Sequence, residues 1–328
     1  MSLTCQDGHV PAELHIVVGA GPVGTTVAHR LARAGHRVRL VTRSGSGPEH
    51  PLIQRVSADA SDAGTLAAIA KRATVIYNCA NPGAYPQWKR VWPPLAACIL
   101  QAAESSGAVL VTLGNLYGYG PVSEPMTRDL PLRPSDPKGA LRARMWEDAL
   151  ASHNAGRVRA TEARASDYIG PTAPARSSIL ALYANATLAD RVAWVFADPD
   201  QPHAWTAVTD IAATLITLGT DPRAWGSPWI VPSSEAISTR AVLSQLAQIA
   251  GAGEPRLRRI PRGALQAAGL VVPTIRELCG ILYQFDAPFA VDASDTIEIL
   301  GVTPTPWGKV LARTAPIWRE RALVSRAA

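Results

Sequence analysis

Apolar positions along the first half of the chain switch between two rhythms. LHIVVGA (Leu14–Ala20) is a continuous apolar run ending in glycine, the pattern of a buried strand. Val23, Val27, Leu31 and Ala34 then recur at helical spacing, and Gly35 follows as a stop. HRVRLVT reads as a second strand and ASDAGTLAAIAKRA as a helix with Asp62 near its start. ATVIYNCA (Ala73–Ala80) is the next strand, WPPLAACILQAAESSG a helix closed by Gly107, and AVLVTLG another strand. Strand, helix and strand at this spacing predict parallel strands joined by crossover helices. A proline-rich loop, Pro125–Gly139, leads into the helix GALRARMWEDALASH. The second half is less regular and predicts a smaller carboxyl-terminal lobe. The expected division is residues 1–170 for the sheet domain and 171–328 mainly for the lobe, with a segment near 205–231 returning to the sheet. No internal repeat interrupts this pattern.

The turn between the first strand and helix adds chemistry. Gly19, Gly21 and Gly24 form G-x-G-x-x-G after a strand and opening a helix. The first glycine permits a tight turn, the second a close approach of backbone to a pyrophosphate, and the third close helix–strand packing. With Pro22 and Val23 they put a helix amino terminus against phosphate charge. The fold expected is therefore α/β, a Rossmann-type doubly wound parallel sheet with a smaller carboxyl-terminal substrate lobe. After the second strand, where a carboxylate would accept from an NAD ribose, stand Thr42, Arg43 and Ser44. A guanidinium flanked by hydroxyls suits a 2′-phosphate, so NADP(H) is favoured over NAD(H).

Composition narrows the class without changing this picture. Hydrophobic residues make up 47% and charged residues 18%, the balance of a folded globular chain. The net charge of +6 raises a nucleic-acid reading, but the basic residues, all but four of them arginine, are scattered. The densest run, Arg256–Arg262, has no aromatic interleaving and reads as a strand edge with a solvated face. Cys5, Cys79, Cys98 and Cys279 are too widely spaced for a zinc pattern and suit a reducing compartment. The first residues lack a signal-peptide pattern, and no apolar run reaches the ~18 residues of a membrane helix. The expectation is a cytoplasmic protein that takes a small-molecule substrate, with neither nucleic acid nor membrane as partner.

Further segments, in order, resemble the extended short-chain dehydrogenase/reductase superfamily of the NAD-dependent epimerase/dehydratase type. SADASD (Ser57–Asp62) is similar to its "GDxxD" segment, which implies that Asp59 and Ala60 lie near the adenine. YNCANP resembles the strand-end loop that passes the cofactor ribose, implicating Ala80 and Asn81. VLVTLGNLYGYGP resembles the "vyxSSxxvYG" strand and turn, and RASDYIGP (Arg164–Pro171) the "R-x-x-x-x-Y-G-P" element beside the nicotinamide. HAWTAVTDIAATL and PFAVDASDTIEILGVTPTPW resemble two later family segments. The likeness spans nearly the whole chain and implies a substrate held between the two lobes, with a homodimer as a typical assembly.

The resemblance also implies a Ser/Thr, a Tyr and a Lys, with Tyr-x-x-x-Lys on one helix face, and here the chain departs from it. SDPKGALRARMWEDAL contains no tyrosine; Lys138 falls near the tyrosine position and Arg142 near the lysine. Lys138 is then a candidate proton donor that also reaches the cofactor, and Arg142 a candidate for ribose hydroxyls. The serine position falls on Leu113, with Thr112 beside it as a substitute whose hydroxyl points to the other face. Asn115 and Tyr119 in the following turn are further candidates. Tyr85-Pro-Gln-Trp-Lys89 is a literal Tyr-x-x-x-Lys, but it precedes the expected strand and Pro86 opposes a continuous helix. Tyr85 and Trp88 are instead expected to line the pocket; His203 could face the lobe, although a lone histidine in a loop is more often without a role. Three readings follow: an atypical NADP(H)-dependent oxidoreductase or epimerase-like enzyme on a small carbonyl or hydroxyl metabolite, a non-redox enzyme on the same fold, or an NADP(H)-sensing binding protein.

Overall fold

The computed structural model describes residues 13–175 and 177–327; the Cys5 expectation lies outside them. The first half runs β1 (Leu14–Val18), α1 (Pro22–Arg33), β2 (Arg37–Thr42), β3 (Ile53–Ser57), α2 (Ala63–Ala70), β4 (Val75–Asn78), α3 (Trp88–Ser106), β5 (Val109–Asn115), α4 (Pro137–Asn154) and β6 (Arg159–Ala165). It continues through β7 (Asp167–Ile169), α5 (Ile179–Thr187), β8 (Ala193–Val195), β9 (Pro202–His203), β10 (Trp205–Ala207), α6 (Val208–Thr220), β11 (Pro228–Ile230) and β12 (Ile237–Ser238). The last part holds α7 (Thr239–Ala250), β13 (Leu257–Arg259), α8 (Arg262–Val271), α9 (Pro273–Cys279), α10 (Tyr283–Asp286), α11 (Ser294–Leu300) and α12 (Trp307–Ala327).

Seven parallel strands form the central sheet in the order β11-β6-β5-β4-β1-β2-β3. Order reverses beside β1, and there the crevice outside the carboxyl ends of the strands opens. Successive residues of β1 and β5 feed opposite layers. Val17, Val111 and Leu113 join the core containing α1 and α6, while Ile16, Val18 and Leu110 join the one containing α2 and α3. Burial on both faces explains why these strands read as unbroken apolar runs. The first core extends to Trp318 and Ala322 of α12, so the sheet and the carboxyl-terminal helices share it.

Two elements differ from the sequence pattern. No strand is expected between Thr42 and the helix at Ala63, yet β3 pairs there with β2. It is the sheet's edge, with Gln54, Arg55 and Ser57 exposed, so its apolar signal is weak. Helix α3 begins at Trp88 rather than Trp92, leaving Pro93 and Pro94 inside it. Pro86 sits in a single 3-10 turn, Tyr85–Gln87, which separates Tyr85 from the α-helix carrying Lys89. The basic run Arg256–Arg262 forms β13, a short strand paired with β8, and the start of α8.

A buried ionic network ties the ends of β5 and β6 to the turn that follows. On β6, Arg164 Nε donates to Glu162 Oε2 at 2.7 Å and its Nη1 donates to the Tyr119 hydroxyl at 2.7 Å. Gly114 on β5 makes the room, since a Cβ there would lie 2.6 Å from Glu162 Oε1. Glu162→Ala strands a buried guanidinium and is expected to cost about 3–5 kcal/mol, whereas Glu162→Met/Arg164→Met, which removes both charges, costs less. Urea unfolding of the two variants checks the order.

Candidate active site

The site is built at the carboxyl ends of β1, β2, β4, β5 and β6. Gly19 turns the chain at φ +101°, and a Cβ there would lie 2.7 Å from the Cys79 carbonyl oxygen. A Cβ on Gly24 would run into the Gly19 carbonyl. These two glycines are required by packing alone. Gly21 is different, because a Cβ there meets nothing within 4 Å. Among the described residues, no group beyond its chain neighbours lies within that distance of Gly21.

The start of α1 is correspondingly open. Helices α2, α4, α5 and α7 are each capped by a side chain, from Asp62, Asp136, Ser178 and Ser238. Helix α1 has Gly21 at its N-cap, no capping side chain, Pro22 in its first turn and no acidic residue there. The first-turn amides of Val23 and Gly24 therefore have no intrahelical acceptor. An uncapped helix terminus beside open space fits a dinucleotide pyrophosphate.

Around this cradle, Arg43 and Ser44 are exposed just past β2. Ser44 Oγ bonds Ser46 Oγ at 2.9 Å, while the Arg43 backbone carbonyl accepts from Ser57 Oγ at 2.9 Å. The Arg43 side chain carries no hydrogen bond or ion pair among the described residues. Asp59 is exposed and accepts from the Ser61 amide at 2.9 Å, and Ala60 is buried against the core below it. Ala80 donates its amide to Asn78 Oδ1, and Asn81 is exposed at the end of β4. The carboxyl ends of the strands thus gather Gly21, Arg43, Asp59, Ala80 and Asn81 on one edge of the sheet.

The candidates for chemistry divide sharply. Lys138 is buried at the start of α4, with Nζ 2.8 Å from Glu277 Oε2 and 3.2 Å from Asp136 Oδ1. Two carboxylates neutralise it, one of them from α9. Arg142, one turn on, lies over the rings of Trp92 at 4.6 Å and Trp88 at 5.4 Å. Its Nε and Nη1 are buried and make no hydrogen bond. Burial lowers its pKa, opposed chiefly by Glu162, and a guanidinium so shifted still stays charged. Thr112 lies in register with Asn78 and Glu162. It projects on the opposite face from Leu113, the face on which α3 packs. Asn115 accepts from the Tyr117 amide at 3.3 Å and shapes the turn. Tyr119 is fully buried, and its hydroxyl is held by Arg164. That bond occupies Tyr119 away from the cleft.

A second set of hydroxyls, Tyr85 and Tyr117 from turns after β4 and β5 and Tyr168 from β7, stands near the two cations. The hydroxyls of Tyr85 and Tyr117 are 2.9 Å apart, and the Tyr85 ring lies 5.6 Å from Lys138 Nζ. Burial pushes Tyr85 up to about 12, and it raises Tyr117 and Tyr168 well above the usual phenol range. Asp167, partly exposed, adds to the rise in all three. His203 is buried, packed against residues of the carboxyl-terminal lobe. Its Nε2 is 2.9 Å from Asp167 Oδ2, its Nδ1 is 3.1 Å from the Gln284 carbonyl, and its ring stacks on Phe285 and Phe289. It serves as Asp167's partner. Sequence reasoning missed Asp167, Tyr168 and Glu277; an acidic residue directly after a central strand, as in RASDYIGP, is the one signal that pointed to Asp167.

Comparison with known proteins agrees with this architecture. No curated protein matches the sequence. MoeE5, solved in complex with UDP-glucose and NAD, superposes with a TM-score of 0.77 at 19% identity, covering 95% of this chain and 100% of its own. The dTDP-glucose 4,6-dehydratase DesIV from Streptomyces venezuelae gives 0.76 at 18%, covering 94% and 97%. The UDP-glucose 4-epimerase from Thermotoga maritima gives 0.77 at 15%, covering 94% and 99%. At such identities these structures establish a shared fold. The sequence itself matches the NAD dependent epimerase/dehydratase family over residues 15–231, and this chain belongs to that family.

Proposed function

We propose that this chain is an NADP(H)-dependent enzyme that reduces, oxidises or epimerises a small carbonyl or hydroxyl metabolite, with its proton-transfer group supplied from outside α4. The open, uncapped start of α1 at Gly21 carries the reading. The 2′-phosphate preference rests on Arg43, exposed at the end of β2 with no side-chain partner among the described residues. Nucleotide sugars, which MoeE5 and the Thermotoga maritima epimerase were solved with, are the first substrate class to test.

When bound, the nicotinamide gives or takes a hydride at its C4. The chain's own part is to hold it and to move a proton. Val23 and Gly24 amides bind the pyrophosphate. Arg142 offers Nε and Nη1, unpartnered and buried, to a ribose or substrate oxygen. Lys138, fixed by Asp136 and Glu277, is a positioning group whose charge lies under the Tyr85 ring. Tyr85 is the proton carrier, with Tyr117 as the next hydroxyl in line. Because burial pushes Tyr85 up to about 12, the hydroxyl is protonated throughout the neutral range. It is therefore set to donate to a carbonyl oxygen in the reductive direction of these reactions. Asp167, held by His203, stabilises that protonated form.

A cofactor-sensing protein or a non-redox enzyme is favoured by one observation, the neutralisation of Lys138 by two carboxylates. Tyr85→Phe separates these from the leading reading. The expected result is NADPH affinity within about twofold of the parent and kcat in carbonyl reduction lower by about 10²–10⁴-fold, the range of a lost general acid. A carbonyl reductase activity that survives the substitution contradicts the assignment. Arg43→Ala is expected to weaken NADPH by about 10–100-fold, the loss of a charge-assisted contact, and to leave NADH nearly unchanged. Equal losses for both dinucleotides would contradict the 2′-phosphate role. Nicotinamide fluorescence titration measures both affinities.

A further inference from the structure

At the opposite end of the sheet from the cradle, Glu13 precedes β1, His15 is the second residue of β1, and His36 precedes β2. Parallel pairing brings them together: the Arg37 amide donates to the Glu13 carbonyl at 3.0 Å, and Leu14 aligns with Arg37. Glu13 and His15, two residues apart on extended chain, project to one face. Their ligand atoms and that of His36 lie within 4.8 Å of one another.

His15 is the unusual member. Its ring is completely buried, and neither nitrogen makes a hydrogen bond. It meets the His36 ring at 4.7 Å and stacks on Tyr77 at 5.9 Å, so packing fixes its direction. Leaving a buried polar group unpaired costs about 1–3 kcal/mol. Its Nε2 stands 3.5 Å from Glu13 Oε2.

We propose that Glu13, His15 and His36 form a binding site for a divalent transition metal of the zinc class. Zinc takes nitrogen at about 2.0–2.1 Å and carboxylate oxygen at about 2.0–2.2 Å in tetrahedral geometry, which puts neighbouring ligand atoms about 3.3–3.5 Å apart. His15 Nε2 and Glu13 Oε2 already stand at 3.5 Å, and His36 Nδ1 is 3.9 Å from the same oxygen. Glu13 and His36 are 44% and 32% exposed at their side chains, so each is free to turn toward the buried imidazole as the ligand atoms close from within 4.8 Å. The same exposure leaves the fourth position to water. One anchored imidazole and two adjustable solvent-facing ligands form the set. Among the described residues this is the one such cluster of histidine, cysteine and carboxylate groups. The metal would clamp the amino ends of β1 and β2, where it acts on stability and not on the cleft.

Chelator-treated full-length protein titrated with Zn²⁺ by calorimetry, and with Co²⁺ by visible absorption, tests the site. The expected result is one metal per chain, a tetrahedral Co²⁺ band without thiolate charge transfer, and a melting temperature that rises with added Zn²⁺. His36→Ala and Glu13→Gln, both at partly exposed positions, are expected to weaken binding by at least about tenfold, the least that losing even an outer-shell partner costs. His15→Ala, at the buried position, is informative only where its circular dichroism matches the parent. Absence of saturable binding overturns the site. So does stoichiometric binding that persists in His36→Ala and Glu13→Gln, or a cobalt spectrum showing cysteine ligation. None of these readouts involves the dinucleotide, so the outcome stands apart from the enzymatic reading.

Discussion

The close approach of α1 to the end of β4 is the constraint on which the cofactor site depends. Gly24 lies against the Gly19 carbonyl, and Gly19 lies against Cys79 and Ala80. No side chain can be inserted at either point, so the helix begins directly over the strand ends. That contact leaves Gly21 facing open space and the first-turn amides facing the cleft. Helices α2, α4, α5 and α7 satisfy their termini with Asp or Ser, whereas α1, like α3, α6 and α8–α11, has no side-chain cap. What sets α1 apart is the glycine turn at its start, with open space at Gly21 among the described residues.

Around the cradle, charge is distributed so that few groups remain free. Arg164 is consumed by Glu162 and Tyr119, and Lys138 by Asp136 and Glu277. Asp167 is paired with His203. Among the described residues, Arg43 has no side-chain partner, Arg142 has two buried unpartnered nitrogens, and the hydroxyls of Tyr85 and Tyr117 bond each other. Exchange of the helix-borne tyrosine for Lys138 is therefore accompanied by a tyrosine from another loop standing against that same lysine.

Local constraints were legible in the sequence, and long-range ones were not. The glycine turn, the apolar strands and the absence of tyrosine from α4 are each set within a few residues, and each is found where the pattern put it. Strand β3 was missed because an edge strand needs little apolar periodicity. Glu277 reaches Lys138 across 139 positions, and nothing in the spacing of either announces it. Tyr85 was read as a pocket residue, but its hydroxyl contact with Tyr117 depends on how two separate strand-end loops converge. Tyr119 and His203 looked available in sequence; burial and partners decide otherwise. The Glu13, His15 and His36 cluster has no spacing signature, because β1–β2 pairing alone assembles it.

The central claim is that the open start of α1 is a phosphate site. The most direct measurement is NADPH titration of the parent protein and of Gly21→Val, followed by nicotinamide fluorescence, with urea unfolding of both. The account predicts saturable NADPH binding by the parent and its loss in Gly21→Val. The denaturation midpoint is expected to change little, because among the described residues nothing beyond the chain neighbours lies within 4 Å of a Cβ at that position. Equal binding by the two proteins, or none by the parent, would contradict it.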